Sequence, residues 1–278
     1  MNYVSARLGQ EVAAQRAKGQ LALRFRQAAG CTRVHEFFQE GCLKARLPRP
    51  VAADICEAVT MNISGGIAGG DMLETRIELA EGALVCVAGQ AAERVYRALE
   101  APARVLTRLV VGPGAVLEYL PQETILFDGF GLRRALEIEL AGDAAYLGVE
   151  SLVFGRLAMG EVVASGFLRD QIRLCQDGRR LLQDMTRLQG DIAAQLRRPA
   201  VAGGAAAMAS LILAGPGAAE KLPALRAGLE GMQAGASCFE GIVFARILAA
   251  DGAALRRCVV AALGAVREGR KLPGVWQG

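Results

Sequence analysis

Residues 62–74 read NISGGIAGGDMLE, with Gly65, Gly66, Gly69 and Gly70 crowded around Ile67 and Ala68. Loops of this composition can hold a phosphate on their backbone amides. A Walker loop, however, needs Lys followed by Ser or Thr after its last glycine, and here Asp71 follows Gly70. The dinucleotide pattern G-x-G-x-x-G fails because Ile67 stands where a glycine is required. Asp71 would also repel a phosphate, and the residues that follow alternate like a strand instead of opening a helix. The structural reading is therefore stronger: the glycines allow a sharp corner and close backbone packing.

The remaining reactive side chains are few. His35 is the single histidine, and Cys31, Cys42, Cys56, Cys86, Cys175, Cys238 and Cys258 are scattered with no CxxC pair. A zinc or nickel cage draws on several His and Cys ligands at short spacing, and this set cannot supply one. No nucleophile elbow accompanies His35, so catalysis by a Cys–His pair is not expected. Seven unpatterned cysteines read as reduced, mostly buried thiols of a cytosolic protein. Two carboxylates stand out because they interrupt apolar strands: Glu150 in YLGVESLVFG and Asp184 in LLQDMTRL. An ionised carboxylate is costly to bury alone, so each must face solvent, pair with a cation such as Arg156 or Arg187, or line a wet interior.

The elements that position these residues are mostly strands. Leu73–Val87, Arg104–Leu120 and Arg133–Val149 share one rhythm: an alternating strand, a tight turn and an apolar strand. The turns are Glu81-Gly82, Pro113-Gly114 and Gly142-Asp143, and the copies recur about every 30 residues. Leu21–Val34 and Ile172–Met185 repeat the pattern more weakly, the second around Asp177-Gly178. This predicts a mainly β, β-helix-like stack of hairpins or layered sheets. Residues 1–20 read as a frayed segment, 21–190 as the stacked β-hairpin body and 191–278 as an α+β portion packed on it. In that last portion the spacing predicts two helices, Ala218–Met232 (through Leu222, Leu225 and Leu229) and Ala253–Val266, with a strand at Gly241–Leu248 between them.

Bulk properties narrow the function further. The chain has 278 residues, 53% hydrophobic, with 32 Lys and Arg against 28 Asp and Glu. A net charge of +4 without a basic cluster, and 5% aromatics, do not suggest a nucleic-acid binder. The charge-free run from Pro199 up to Glu220 is interrupted by Gly203, Gly204, Gly215, Pro216 and Gly217 and reads as a buried strand instead of a membrane span. The first twenty residues have no continuous apolar stretch before their first charges and do not read as a secretory signal.

Five ordered motifs carry a resemblance to a known family. They are NISGGIAGGDMLE (62–74), QAAERVYRA (90–98, with Tyr96 and Arg97), GAVLEYLPQETILFDG (114–129, with Pro121, Gln122 and Glu123), SLVFGRLAMGE (151–161) and LPGVW (272–276). Together they resemble the urease accessory proteins called UreD or UreH, over nearly the whole chain. The resemblance implies a non-catalytic, cytoplasmic scaffold with no tightly bound cofactor. It implies binding to UreF, through it to the GTPase UreG, and to apo-urease, with nickel passing through an internal channel. It also places Glu150 and Asp184 where the family carries acidic residues that line that channel. Gly274 stands where the family often has Arg, and Arg94 where Lys is more usual; Leu47–Val59 lacks the family's aromatic and His-containing run. Two readings from other classes stand beside it: a small-molecule enzyme using the glycine corner and Gln122–Gly129, with Asp71, Glu123 and Asp128 as its acids, or a β-solenoid interaction protein unrelated to metals.

Overall fold

The computed structural model describes residues 16–50, 54–156 and 159–277. Most of the predicted frayed segment lies outside these residues, as do parts of the Leu47–Val59 stretch and of the SLVFGRLAMGE motif; Lys18 already opens the first strand. In chain order the strands are β1 (Lys18–Ala28), β2 (Cys31–Gly41), β3 (Leu43–Arg46), β4 (Cys56–Asn62), β5 (Met72–Leu79), β6 (Leu84–Gly89), β7 (Glu93–Val95), β8 (Ala103–Val111), β9 (Val116–Leu120), β10 (Thr124–Leu126), β11 (Phe130–Leu140), β12 (Ala145–Phe154), β13 (Ser165–Gln176) and β14 (Arg179–Asp191). The C-terminal part adds α1 (Ile192–Arg197), β15 (Ala207–Ala214), α2 (Leu222–Gly228), β16 (Ala234–Phe239), β17 (Ile242–Ala249) and α3 (Gly252–Val266).

The period-two pattern becomes two facing sheets. One runs β14-β13-β11-β8-β5-β1-β2, the other β16-β17-β15-β12-β9-β6-β4-β3, with β10 and β7 attached beside β12. Along β11, Leu132, Leu136, Ile138 and Leu140 point into the space between the sheets while Arg133, Glu137 and Glu139 point out.

The three central repeats are not hairpins. The two arms of each copy join different sheets: β5, β8 and β11 pair in parallel in the first, β6, β9 and β12 in parallel in the second. Each copy is thus an arch, and the chain coils as a β-solenoid. The corners explain why. Ala83, Ala115 and Ala144 are fully buried at equivalent places, and each corner bonds to the next copy: the Gly82 amide donates to the Pro113 carbonyl at 2.9 Å and the Gly114 amide to Asp143 Oδ1 at 2.6 Å. The flanking copies do fold back on themselves. Asp177 and Gly178 both take positive φ (50° and 75°), the two-residue geometry that closes an antiparallel hairpin, and β13 pairs with β14 accordingly.

A second apolar core lies on the outer face of the second sheet. Leu147, Val149, Val243, Ala245 and Ile247 pack there against Leu255, Val259, Leu263 and Trp276. Of the two helices expected, α3 starts one residue early, capped by Asp251, whose Oδ1 accepts from the Ala254 amide at 2.7 Å. The other contracts to α2, which opens with Pro223 in its first turn and gives way before Gly231, a residue with positive φ. Helix α1, too short to leave a periodic signature, was not anticipated. Among the described residues no helix is long and apolar enough to cross a membrane.

Candidate functional site

The space between the sheets is not uniformly apolar. Arg134 on β11 and Asp170 on β13 occupy inward positions, between Leu132 and Leu136 and between Leu168 and Ile172, and the two are register neighbours. Arg134 donates a two-pronged contact to Asp170, Nε to Oδ1 at 2.8 Å and Nη2 to Oδ2 at 2.7 Å. Its remaining nitrogen, Nη1, reaches Thr124 Oγ1 at 3.1 Å and Glu150 Oε2 at 2.6 Å from the opposite sheet. One guanidinium therefore faces two carboxylates, and Asp170 holds the better geometry. Burial, together with the Asp170 charge and against the pull of Arg134, pushes the Glu150 carboxyl up to about 7. Burial likewise raises the Tyr119 hydroxyl, which interacts with Thr107.

These groups line a cavity of about 140 Å³. It extends from Glu150, Arg134 and Tyr119 past Thr107 and Thr124 to Asn62, Glu93, Pro121 and Gln122. At about 30 Å³ of liquid volume per water, it has room for several. Near its far end burial raises the Glu93 carboxyl, partly offset by a hydrogen bond from Asn62.

Asp184 is not among the residues lining this cavity. It lies on β14, opposite Ile172, and also points inward; Arg246 on β17 contacts both its oxygens, at 2.8 and 2.7 Å. Ser210 links the two acids in register, paired with Glu150 on one side and with Arg246 on the other. A polar seam thus crosses the sandwich from Asn62 to Asp184. The cations expected from sequence, Arg156 and Arg187, are not the partners. Arg156 pairs with Glu161, and Arg187 points outward. Sequence reasoning missed Arg134 and Asp170, although a charged residue at an inward-facing position of an alternating strand is the signal that marks them.

The glycine corner holds the chain in a sharp turn. Gly65, Gly66 and Gly70 take positive φ. A Cβ on Gly66 would sit 2.3 Å from the Tyr96 ring, and one on Gly69 2.7 Å from the Ala98 side chain. Asp71, buried, accepts from the Ala17 amide at 2.8 Å through Oδ1 and from the Ala68 amide at 2.7 Å through Oδ2. The Tyr96 hydroxyl donates to the Gly65 carbonyl at 3.0 Å, and its ring meets Phe127 edge-on. Gly66→Ala is expected to cost about 1–3 kcal/mol from strain at this φ alone, and more from the ring clash, which thermal unfolding would register.

The other motif residues are tied into the structure as well. Arg97 pairs with Asp128, whose Oδ1 accepts from the Ala164 and Ser165 amides, both at 2.9 Å. Gln122 donates to the Val275 carbonyl at 3.0 Å and accepts from Arg256 at 2.6 Å. Arg256 also reaches Glu123 at 3.4 Å and stacks on Trp276, whose indole donates to the Leu120 carbonyl at 3.0 Å. The LPGVW motif is thus clamped between Pro121-Gln122-Glu123 and α3, and Gly274 has open space beside it. Asp71, Glu123 and Asp128, the acids of the enzyme alternative, each already accept such bonds. Burial raises the Cys42, Cys56, Cys86 and Cys175 thiols, which disfavours the thiolate a soft metal would need. Among the described residues no three His, Cys, Asp or Glu side chains are grouped to hold a metal ion.

Comparison with known proteins agrees with the motifs. Residues 17–277 match the family described as UreD urease accessory protein. A urease accessory protein UreD of Rhizobium leguminosarum bv. viciae is 40% identical over 262 residues, 94% of this chain and 96% of the relative. Those of Methylobacterium sp. (strain 4-46) and Sinorhizobium medicae are 44% and 42% identical, covering 95% of this chain and 95% and 97% of their own lengths. The chain belongs to the UreD family of urease accessory proteins.

Proposed function

We propose that this protein is a cytoplasmic urease maturation factor, a scaffold that binds UreF, through it the GTPase UreG, and apo-urease, and that passes nickel through the polar seam between its sheets. Family membership supports the setting. The observation that carries the mechanism is the Glu150 cluster in an interior cavity. With Asp170 neutralised by Arg134, an ionised Glu150 leaves one unit of negative charge in a space that several waters can share. A carboxyl poised near neutrality exchanges its proton for an arriving cation readily. Sparse oxygen donors hold nickel far less tightly than His or Cys cages, as a conduit requires. Asp184, engaged by Arg246 further along the seam, offers a second transient contact when that pair opens.

The test is to co-produce the urease subunits and their accessory set with the wild-type chain or with Glu150→Gln/Asp184→Asn. Nickel content and activity of the purified urease are expected to fall on the order of tenfold, while the variant stays folded and bound to its partners. Urease with its full nickel complement would refute the conduit.

A further inference from the structure

The outer face of the first sheet carries two rows of arginines treated in opposite ways. In one row Arg76, Arg108, Glu137 and Arg173 are register neighbours on β5, β8, β11 and β13. Every cation in it has an acid: Arg76 pairs with Glu78, Arg108 contacts Glu74 and Glu137, both at 3.1 Å, and Arg173 reaches Glu137 at 3.1 Å. Four residues back along the strands lies a second row. Arg104, Arg133, Arg169 and Arg187 are register neighbours on β8, β11, β13 and β14, continued through Met72 to Lys18 on β5 and β1. All four arginines are exposed, and none has an ion-pair partner among the described residues. The one aromatic contact in the row is Arg133 over the Phe167 ring at 5.1 Å.

At about 4.8 Å between strands, the four guanidiniums span about 14 Å in a straight line. Like charges side by side on a sheet are unfavourable, so the row is an electrostatic cost that a bound anion would relieve. Its surroundings select the kind of anion. A depression of about 610 Å³ at the Lys18–Arg104 end includes exposed Met72 and half-buried Leu106 together with Glu40 and Glu74. Another of about 470 Å³ beside Arg133 and Phe167 includes Glu100. A nucleic-acid backbone, charged at every step, would meet those acids. A peptide can set carboxylates on the arginine forks and place apolar or basic side chains over Met72, Leu106 and the glutamates.

We infer that the Arg104–Arg133–Arg169–Arg187 row is a docking surface for an acidic segment of a partner protein. This surface lies outside the sandwich and does not depend on nickel passage, so its test involves neither nickel nor urease. Labelled poly-L-glutamate is titrated with the full-length protein and followed by fluorescence anisotropy, beside a DNA duplex of similar length. Poly-L-glutamate is expected to bind saturably and more tightly than the duplex, and to weaken as salt rises. Arg104→Gln/Arg133→Gln/Arg169→Gln/Arg187→Gln should weaken it at least about tenfold, the combined effect of four exposed ion pairs. Arg76→Gln/Arg108→Gln, in the compensated row, should leave it unchanged. If the quadruple variant does not fold, Arg169→Gln alone carries the test, with an expected loss of about twofold to threefold. Equal binding by the row variant and wild type, or tighter binding of the duplex, would overturn the inference.

Discussion

Glu118→Ala is expected to destabilise the protein by about 3–5 kcal/mol, because it strands a buried arginine. Glu118 lies on the outward face of β9, beneath the C-terminal helices, and is 3% exposed; Arg267, just beyond α3, is 5% exposed. Arg267 reaches Glu118 Oε2 through Nη2 at 2.7 Å and Nε at 3.0 Å, and Arg270 reaches Oε1 at 2.7 Å. Without the carboxylate, Arg267 loses both contacts to Oε2, while Arg270 keeps Asp54 at 2.8 Å. Thermal unfolding should move down by on the order of 10 °C. Glu118→Met combined with Arg267→Met should recover much of the loss, since an apolar pair of similar size often replaces a buried ion pair at little cost. If the single variant melts within about two degrees of wild type, the guanidiniums find water and the pair does not hold the helix to the sheet.

Arg134→Gln is the second large effect, also about 3–5 kcal/mol at neutral pH, and its pH dependence has a definite sign. In the wild-type fold the Glu150 carboxyl is raised from an ordinary 4.5 to about 7. The folded state therefore holds this proton more tightly than the unfolded chain, and the group's contribution falls as pH rises from about 4.5 to about 7. Removing Arg134 takes away the one cation that favours ionised Glu150, so its carboxyl rises further and Asp170 loses its partner. The gap in stability between wild type and variant should then widen from pH 5 to pH 8. Denaturant melts at the two pH values measure this directly. A gap that stays constant or narrows would mean Glu150 is already neutral throughout, and the proton-for-cation exchange proposed for it would lose its basis.

Much of the architecture was legible because strand alternation is local. Ile77-Glu78-Leu79 and Ile138-Glu139-Leu140 state which side faces the core without reference to any partner strand. The recurrence of Glu81-Gly82, Pro113-Gly114 and Gly142-Asp143 exposed the repeat. The site was legible only in part. Glu150 drew attention as an acid within an apolar run, yet the same reasoning applies to Arg134 and Asp170. In LRRALEIEL and FLRDQIRL these sit among other charged residues that do face solvent, so their inward parity was masked. Glu118 was hidden for another reason: its sheet is covered on both faces, and alternation then loses its meaning.

The sequence by itself determined the mainly β, repeating strand–turn–strand pattern, the helical C-terminal segments, the corner at Gly65–Asp71 and the family, since each rests on residues close together in the chain. The tertiary structure alone decided whether a turn closes a hairpin or an arch, that Arg134 serves both Asp170 and Glu150, that Asp184 pairs with Arg246, and that four outward arginines fall into one line. These facts depend on which residues of separate strands meet, which the local pattern does not set. A one-residue slip there would turn every side chain to the opposite face while leaving the local pattern unchanged.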